Sequence, residues 1–180
     1  MEDTSFDQLE SPRLCLRRFR LDDAAAFAEY RNDPEVARLQ GWDVPYSVAE
    51  AQRFVESMGS VSPGEPGTWF QFAVALRSNG ALIGDCALRT TLEDPRQAEL
   101  GFSFATQYQR HGYASEAVSC IVRYAFTTLG LHRVFSIVDA RNERAQRLLQ
   151  RTAFRRVGLV EATWFKGELV SEVVYARLAS

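Results

Sequence analysis

Lysine is almost missing from this chain: of its 21 basic residues, Lys166 alone is a lysine and the others are arginines. A phosphate loop of the Gly, four residues, Gly-Lys type is therefore excluded, because Phe165 stands before Lys166 where that loop needs glycine. Schiff-base chemistry would have to rest on the same side chain, which falls in an expected hairpin turn. Histidine is scarce too, and His111 with His132 cannot furnish a His-rich metal site, so no metal is expected. The three cysteines, Cys15, Cys86 and Cys120, are odd in number and far apart, which fits reduced thiols rather than a disulfide frame. None of the 11 glycines is spaced Gly-x-Gly, which removes the dinucleotide fingerprint. No apolar run approaches the roughly 20 residues of a membrane helix. The stretch 1–10 is acidic and lacks an apolar signal core, so a cytoplasmic chain without a membrane partner is expected.

What is present points to one domain. The 180 residues, 46% hydrophobic and 24% charged, suffice for a single domain, taken as 1–180 with its core at about 11–178. A net charge of -2 argues against a nucleic-acid partner. Gly101-Phe102-Ser103-Phe104-Ala105 imitates a nucleophile elbow, but Ser103 falls inside a strand pattern rather than at a strand-to-helix turn, against a Ser-His-Asp hydrolase.

Leu14, Leu16 and Phe19 alternate with Arg17 and Arg18, predicting an opening strand at about 12–19. Asp22 or Asp23 caps a helix reaching 31, a short turn starts at Pro34, and Ser47 with Glu50 makes a capping box for a helix over 48–58. Beyond the irregular stretch 59–67, strands are expected at 69–76, 81–90 and 98–104. Asn79-Gly80 closes the first hairpin, and Gly84 marks a bulge or close approach. Ala114, Ala117, Val118, Ile121, Val122 and Ala125 share one helical face, and Gly130 ends that helix. A buried strand at 134–138 follows, then a helix with Ala145, Leu148 and Leu149 inward, then a hairpin of 157–165 and 168–178 closed at Lys166-Gly167. The order β-α-α-β-β-β-α-β-α-β-β describes an α/β (α+β) domain with a mixed, twisted sheet and helices on both faces.

The chemically informative segment is Gln109-Arg110-His111-Gly112-Tyr113-Ala114, between a strand and the longest amphipathic helix. Such a turn presents the unpaired N–H groups of a first helical turn, backed by the positive end of the helix dipole, and favours a phosphate. Gly112 lets the backbone curl close to a ligand, Ala114 keeps bulk out of the way, and Arg110 and His111 add donors at the rim. A plain capping connector is the competing reading of the hexapeptide taken alone.

With its flanks, the segment resembles the acetyl-CoA pyrophosphate signature of the GCN5-related N-acetyltransferase (GNAT) family. The flanks are Ala98-Glu99-Leu100-Gly101-Phe102, Tyr113-Ala114-Ser115-Glu116-Ala117, Tyr124-Ala125-Phe126, Leu129-Gly130-Leu131-His132-Arg133-Val134, Asn142 and Phe154. The set is similar to the RimJ/RimL-type branch, which acetylates N-terminal amines of ribosomal proteins. The resemblance implies a mostly antiparallel sheet whose central parallel strands, 98–104 and 134–138, splay apart around the pantetheine arm of acetyl-CoA. It implies that the backbone near Ser103 and Phe104 binds that arm, that residues 110–114 with Gln109 hold the pyrophosphate, and that Asn142 contacts the cosubstrate; a helix cap is the other reading of Asn142.

Acetyl transfer to an amine needs the free base. The resemblance makes Glu99 the proton acceptor; a strand residue paired with an arginine is the alternative. Three residues past Asn142, where that branch often carries a serine proposed to protonate the thiolate, stands Ala145, so the acid is open among Tyr113, Tyr124 and Tyr175. The family Gly-Phe pair becomes Ala153-Phe154. Trp42, Asp43 and Tyr46, with Trp164 and Phe165, are the expected binders of an amine-bearing peptide or small-molecule acceptor, and ordinary packing is their plainer reading. The alternatives are a non-catalytic acyl-CoA sensor, which Ala145 favours, and a polyamine or aminoglycoside acceptor. A homodimer follows from family habit alone.

Overall fold

The period-two runs and helical stripes read from the sequence reappear in the computed structural model, which describes residues 6–179. The strands are β1 (Gln8–Glu10), β2 (Leu14–Arg17), β3 (Trp69–Leu76), β4 (Leu82–Thr90), β5 (Gln97–Phe104), β6 (Arg133–Asp139), β7 (Arg155–Phe165) and β8 (Glu168–Leu178). The helices are α1 (Ala24–Asn32), α2 (Pro34–Ala37), α3 (Val48–Met58), α4 (Tyr113–Thr127) and α5 (Glu143–Arg151). One mixed sheet runs β1-β2-β3-β4-β5-β6-β8-β7, and only β5 with β6 is parallel. Among the described residues no helix is long and apolar enough to cross a membrane.

Three local expectations are corrected. Within the acidic stretch 1–10, whose first five residues lie outside the described ones, Gln8–Glu10 adds a strand against β2; three residues are too few for a periodic signal. The turn at Pro34 is a helix of its own, capped by the Asp33 side chain on Glu35 N–H at 2.9 Å. Asp23 precedes α1 but its side chain does not cap it. Arg17 takes its carboxylate in a two-pronged bond of 2.7 and 2.9 Å, and Arg20 N–H adds a third contact at 2.7 Å, so buried charge pairing outweighs the cap. The Ser47–Glu50 box forms as expected, with Ser47 N–H donating to Glu50 at 2.7 Å.

Alternation in the strands sends one set of side chains to each face, and each set is covered by different helices. Leu14, Leu16, Phe72, Leu88 and Leu100 pack under α4 and α5 with Ile121 and Leu149. Phe19, Phe27, Val36, Val55 and Ala73 form the core under α1, α2 and α3. That second layer also buries a carboxylate: Asp85 accepts from the Tyr30 hydroxyl and from Gln71 Nε2, the latter at 2.6 Å. Burial pushes the Asp85 carboxyl up from its ordinary 3.8, opposed by the Arg31 charge and by these two donors. The folded protein therefore holds the Asp85 proton more tightly than the unfolded chain. The associated stability is complete below the ordinary carboxyl pKa and is lost as pH rises through the raised one. Asp85→Asn, which keeps an acceptor for Tyr30, is expected to remove the fall in the urea midpoint that Asp85 causes as pH rises above the ordinary carboxyl range. Parallel wild-type and variant curves would contradict this account of Asp85.

Candidate active site

Parallel pairing of β5 with β6 covers only Gln97 with Arg133, Ala98 with Val134 and Glu99 with Phe135. Past that point β5 keeps β4 and β6 keeps β8, so a gap opens beside residues 100–104. Backbone polarity alternates along a strand. Gln97 O accepts from Thr91 N–H at 2.9 Å and Ala105 N–H donates to Ile83 O at 3.0 Å, so odd-numbered residues of β5 turn their polar groups to β4. Leu100, Phe102 and Phe104 turn theirs to the gap, where Gln40 and Gln109 side-chain amides donate to the carbonyls of Phe102 (3.4 Å) and Phe104 (2.9 Å). The sequence expectation named Ser103 and Phe104. Ser103 lines the cleft, but its backbone faces Asp85 across β4, so the open main-chain position is Phe102 instead.

β5 runs through a single 3-10 turn, Thr106–Tyr108, into the loop before α4. Arg110 and Gly112 both have positive φ, 66° and 81°, which curls the chain so that successive N–H groups converge. The first helical bond of α4 is Glu116 N–H to Gly112 O at 3.1 Å, leaving the N–H groups of Tyr113, Ala114 and Ser115 without helical partners. Arg13, at the start of β2, braces the loop from behind. Its Nη1 donates to His111 O at 2.9 Å, its guanidinium covers the Tyr113 ring at 4.5 Å, and its Nε meets Glu116 at 2.7 Å. Burial pushes the Glu116 carboxyl up, but Ser11 Oγ and the Arg13 N–H and guanidinium more than offset it and hold it below the ordinary range. Arg13 and Glu116 are 103 residues apart, and no sequence pattern links them.

Gap and loop form the two ends of one cleft of about 1000 Å³. Seven of the expected donor-site residues line it: Ser103, Phe104, Gln109, Arg110, Gly112, Ala114 and Asn142. His111 and Tyr113 do not. Their rings stack on each other at 5.8 Å, and His111 Nδ1 contacts Gln109 O at 2.8 Å. Asn142 is the cap of α5, its Oδ1 accepting from Ala145 N–H at 3.1 Å; it is also at the cleft wall, so both readings of it describe the same residue. Arginines dominate the lining: Arg38, Arg110, Arg141, Arg144, Arg147 and Arg151, against Glu35 and Glu143. The last three of those arginines are spaced three and four residues apart, a helix-face spacing present in the sequence. Cationic walls, converging N–H donors and a glycine at the turn fit a polyanionic ligand with a diphosphate.

The other expected residues lie elsewhere. Glu99 is not part of the cleft lining; its Oε2 accepts from Arg89 Nη2 at 2.6 Å, directly across from it on β4. Trp42 and Tyr46 enclose the guanidinium of Arg31, at 4.4 and 4.8 Å, together with Phe27 and Phe54. Arg31 is buried and its Nε has no hydrogen-bond partner; aromatic faces take that place. Asp43 is exposed beside them. Trp164, on β7, is 70% exposed. Of the hydroxyls considered for the acid, Tyr124 packs against Phe6 and Phe72, and Tyr175 is buried between Gln146 and Gln150. Tyr108 is the tyrosine that lines the cleft.

Comparison with known proteins agrees with this geometry. Residues 13–155 match the acetyltransferase (GNAT) domain family. The uncharacterized N-acetyltransferase YoaA of Bacillus subtilis is 32% identical over 156 residues, covering 86% of both chains. The crystal structure of a GNAT-family acetyltransferase from Bacillus anthracis superposes with a TM-score of 0.84 at 26% identity, covering 95% of this chain and 98% of that one. Mycobacterium smegmatis RimJ, solved in complex with CoA-disulfide, shares the fold with a TM-score of 0.82 at 21% identity, over 99% of this chain and 90% of its own.

Proposed function

The chain belongs to the GNAT acetyltransferase family, and from that premise we propose that it transfers acetyl from acetyl-CoA to a primary amine, either a protein N-terminus or a small molecule. The carrying observation is continuity: the gap between β5 and β6 opens directly onto the N–H groups ahead of α4. Acetyl-CoA supplies an activated acyl group as a thioester. N–H groups of residues 110–115 hold its diphosphate, the arginines of α5 balance its charge, and Phe102 and Phe104 offer main-chain groups to the pantetheine amides. N–H groups fixed at the gap also stabilise negative charge on an acyl oxygen, a contribution of about 2.7–4 kcal/mol per donor in other enzymes.

Glu99 is the proton acceptor in this proposal. It stands three residues before Phe102, about 10 Å along a strand, so a chain of waters rather than direct contact carries the proton to it. Arg89 occupies Oε2 and leaves Oε1 to accept. Ala145 offers no proton at the cleft wall, and Tyr108 is the tyrosine there able to replace the missing serine. The family's transferase activity sets aside the sensor reading.

The test is an acceptor screen that follows free thiol with ribosomal N-terminal peptides, polyamines and aminoglycosides, run on wild type and Glu99→Gln. The variant is expected to bind acetyl-CoA normally while kcat falls about 10²–10⁴-fold and the acid limb of the pH–rate profile disappears. An unchanged profile would remove Glu99 from the mechanism, and thiol release with none of these amines would remove the acceptor class.

A further inference from the structure

We infer that Lys166 is a self-acetylation site, modified in cis when acetyl-CoA is bound and no other acceptor is present. This rests on the cleft being the acetyl-CoA site. Lys166 and Gly167, with φ of 47° and 86°, form the two-residue turn between β7 and β8. That turn is fastened to both walls of the cleft. On one side Lys166 Nζ donates to Ala37 O at 2.8 Å; Ala37 ends α2, and its neighbours Val36 and Arg38 line the cleft. On the other side Glu168 Oε1 accepts from Arg141 Nη1 at 2.8 Å, and Arg141 and Asn142 line the opposite wall. The chain's single lysine thus projects from a strap laid over the edge of the site.

Its anchorage is slight. Among the described residues Lys166 has no carboxylate partner; one neutral carbonyl and, at 5.8 Å, the face of the Phe165 ring receive its ammonium. The residue is exposed, so a rotation about its four-carbon stem frees the nitrogen. The ammonium first gives a proton to water; the free amine then attacks the thioester carbonyl carbon. A C–N bond forms, the C–S bond breaks, and the sulfur leaves with the electron pair and takes up a proton. The products are N-acetyl-lysine and the CoA thiol, with no other reactant needed. The neutral amide has lost the charge that tied the turn to α2.

A lone lysine makes the experiment clean. The full chain is incubated with carbon-13-labelled acetyl-CoA without an acceptor, digested and mapped by mass spectrometry. Label on the Lys166 peptide is expected, at a first-order rate independent of protein concentration and rising with pH. Gly112→Val, weakened in donor binding, should label at least about tenfold more slowly at subsaturating donor. Lys166→Arg, which keeps a cation for Ala37 O, should lose acceptor-free thiol release. Equal labelling of wild type and Gly112→Val would show acylation from bulk solution and overturn the proposal. So would an unlabelled Lys166 in a chain that binds acetyl-CoA by calorimetry. Absence of acetyl-CoA binding would instead overturn the donor site itself.

Discussion

Replacing Gly112 by valine is expected to weaken acetyl-CoA binding about 10–100-fold, equivalent to roughly 1.4–2.7 kcal/mol, with the fold retained. Gly112 has φ of 81°, and a residue with a Cβ pays about 1–2 kcal/mol to adopt that region. A β-branched side chain fares worst there. A Cβ at this position would also lie 3.3 Å from Arg13 Nη2, the arm that braces the loop through His111 O and Glu116. Arg13 is flexible and can yield, but the loop then loses its backing. The strain is relieved by rotating the peptide units of residues 110–113, which misdirects the N–H groups proposed to meet the phosphates. Calorimetry with acetyl-CoA measures the loss. Gly130→Ala is the matched control: its φ is also positive, 65°, but a Cβ there meets nothing within 4 Å and the residue is not in the cleft lining. It should show a backbone cost below that of the β-branched valine and an unaltered donor affinity. Equal affinities for wild type and Gly112→Val would remove the loop from the donor site.

Gly84→Ala is expected to destabilise the protein by about 2–4 kcal/mol, the sum of an overpacked interior and a weakened strand pair. A Cβ on Gly84 would lie 2.4 Å from Ser103 O, 2.7 Å from Phe104 Cδ1 and 2.9 Å from Phe104 Cα. Two of these atoms are backbone, so the end of β4 must part from the end of β5. Phe104 is where β5 turns its carbonyl to the cleft and receives Gln109 at 2.9 Å, so donor affinity should fall along with stability. Gly101→Ala, on the same strand, would bring its Cβ no closer than 4.0 Å to Ala87 Cβ and should stay within about 1 kcal/mol of wild type. Urea midpoints for the pair decide the matter; similar values would show that the close approach at Gly84 is not a constraint.

These two glycines mark what a sequence can reveal. Gly84 breaks an apolar alternation and Gly112 precedes a helical stripe, so local pattern identifies both, and with them the β4–β5 pairing and the loop ahead of α4. The same local rules give Ser47–Glu50 and the turn at Asn79-Gly80. Periodicity reports which residues share a face, not which partner awaits them across the fold. Arg13 bracing His111 and Glu116 lies beyond it, as does Asp23 held by Arg17 instead of capping α1. The aromatic residues Trp42 and Tyr46 were legible as a cluster, but the buried Arg31 they surround was hidden by the usual preference of arginine for the surface. Ser103 and Phe102 differ by one residue, and only the registration of β5 on β4 settles which of them turns its main chain toward the gap.

A crystal structure with acetyl-CoA decides whether one cleft holds a CoA thioester by main-chain N–H groups at the start of α4 and delivers its acyl end between β5 and β6. Diphosphate oxygens are expected within hydrogen-bond distance of the N–H groups of residues 110–115, with the pantetheine arm against Phe102 and Phe104. Density for the cosubstrate anywhere else, with those N–H groups facing only water, would contradict this placement.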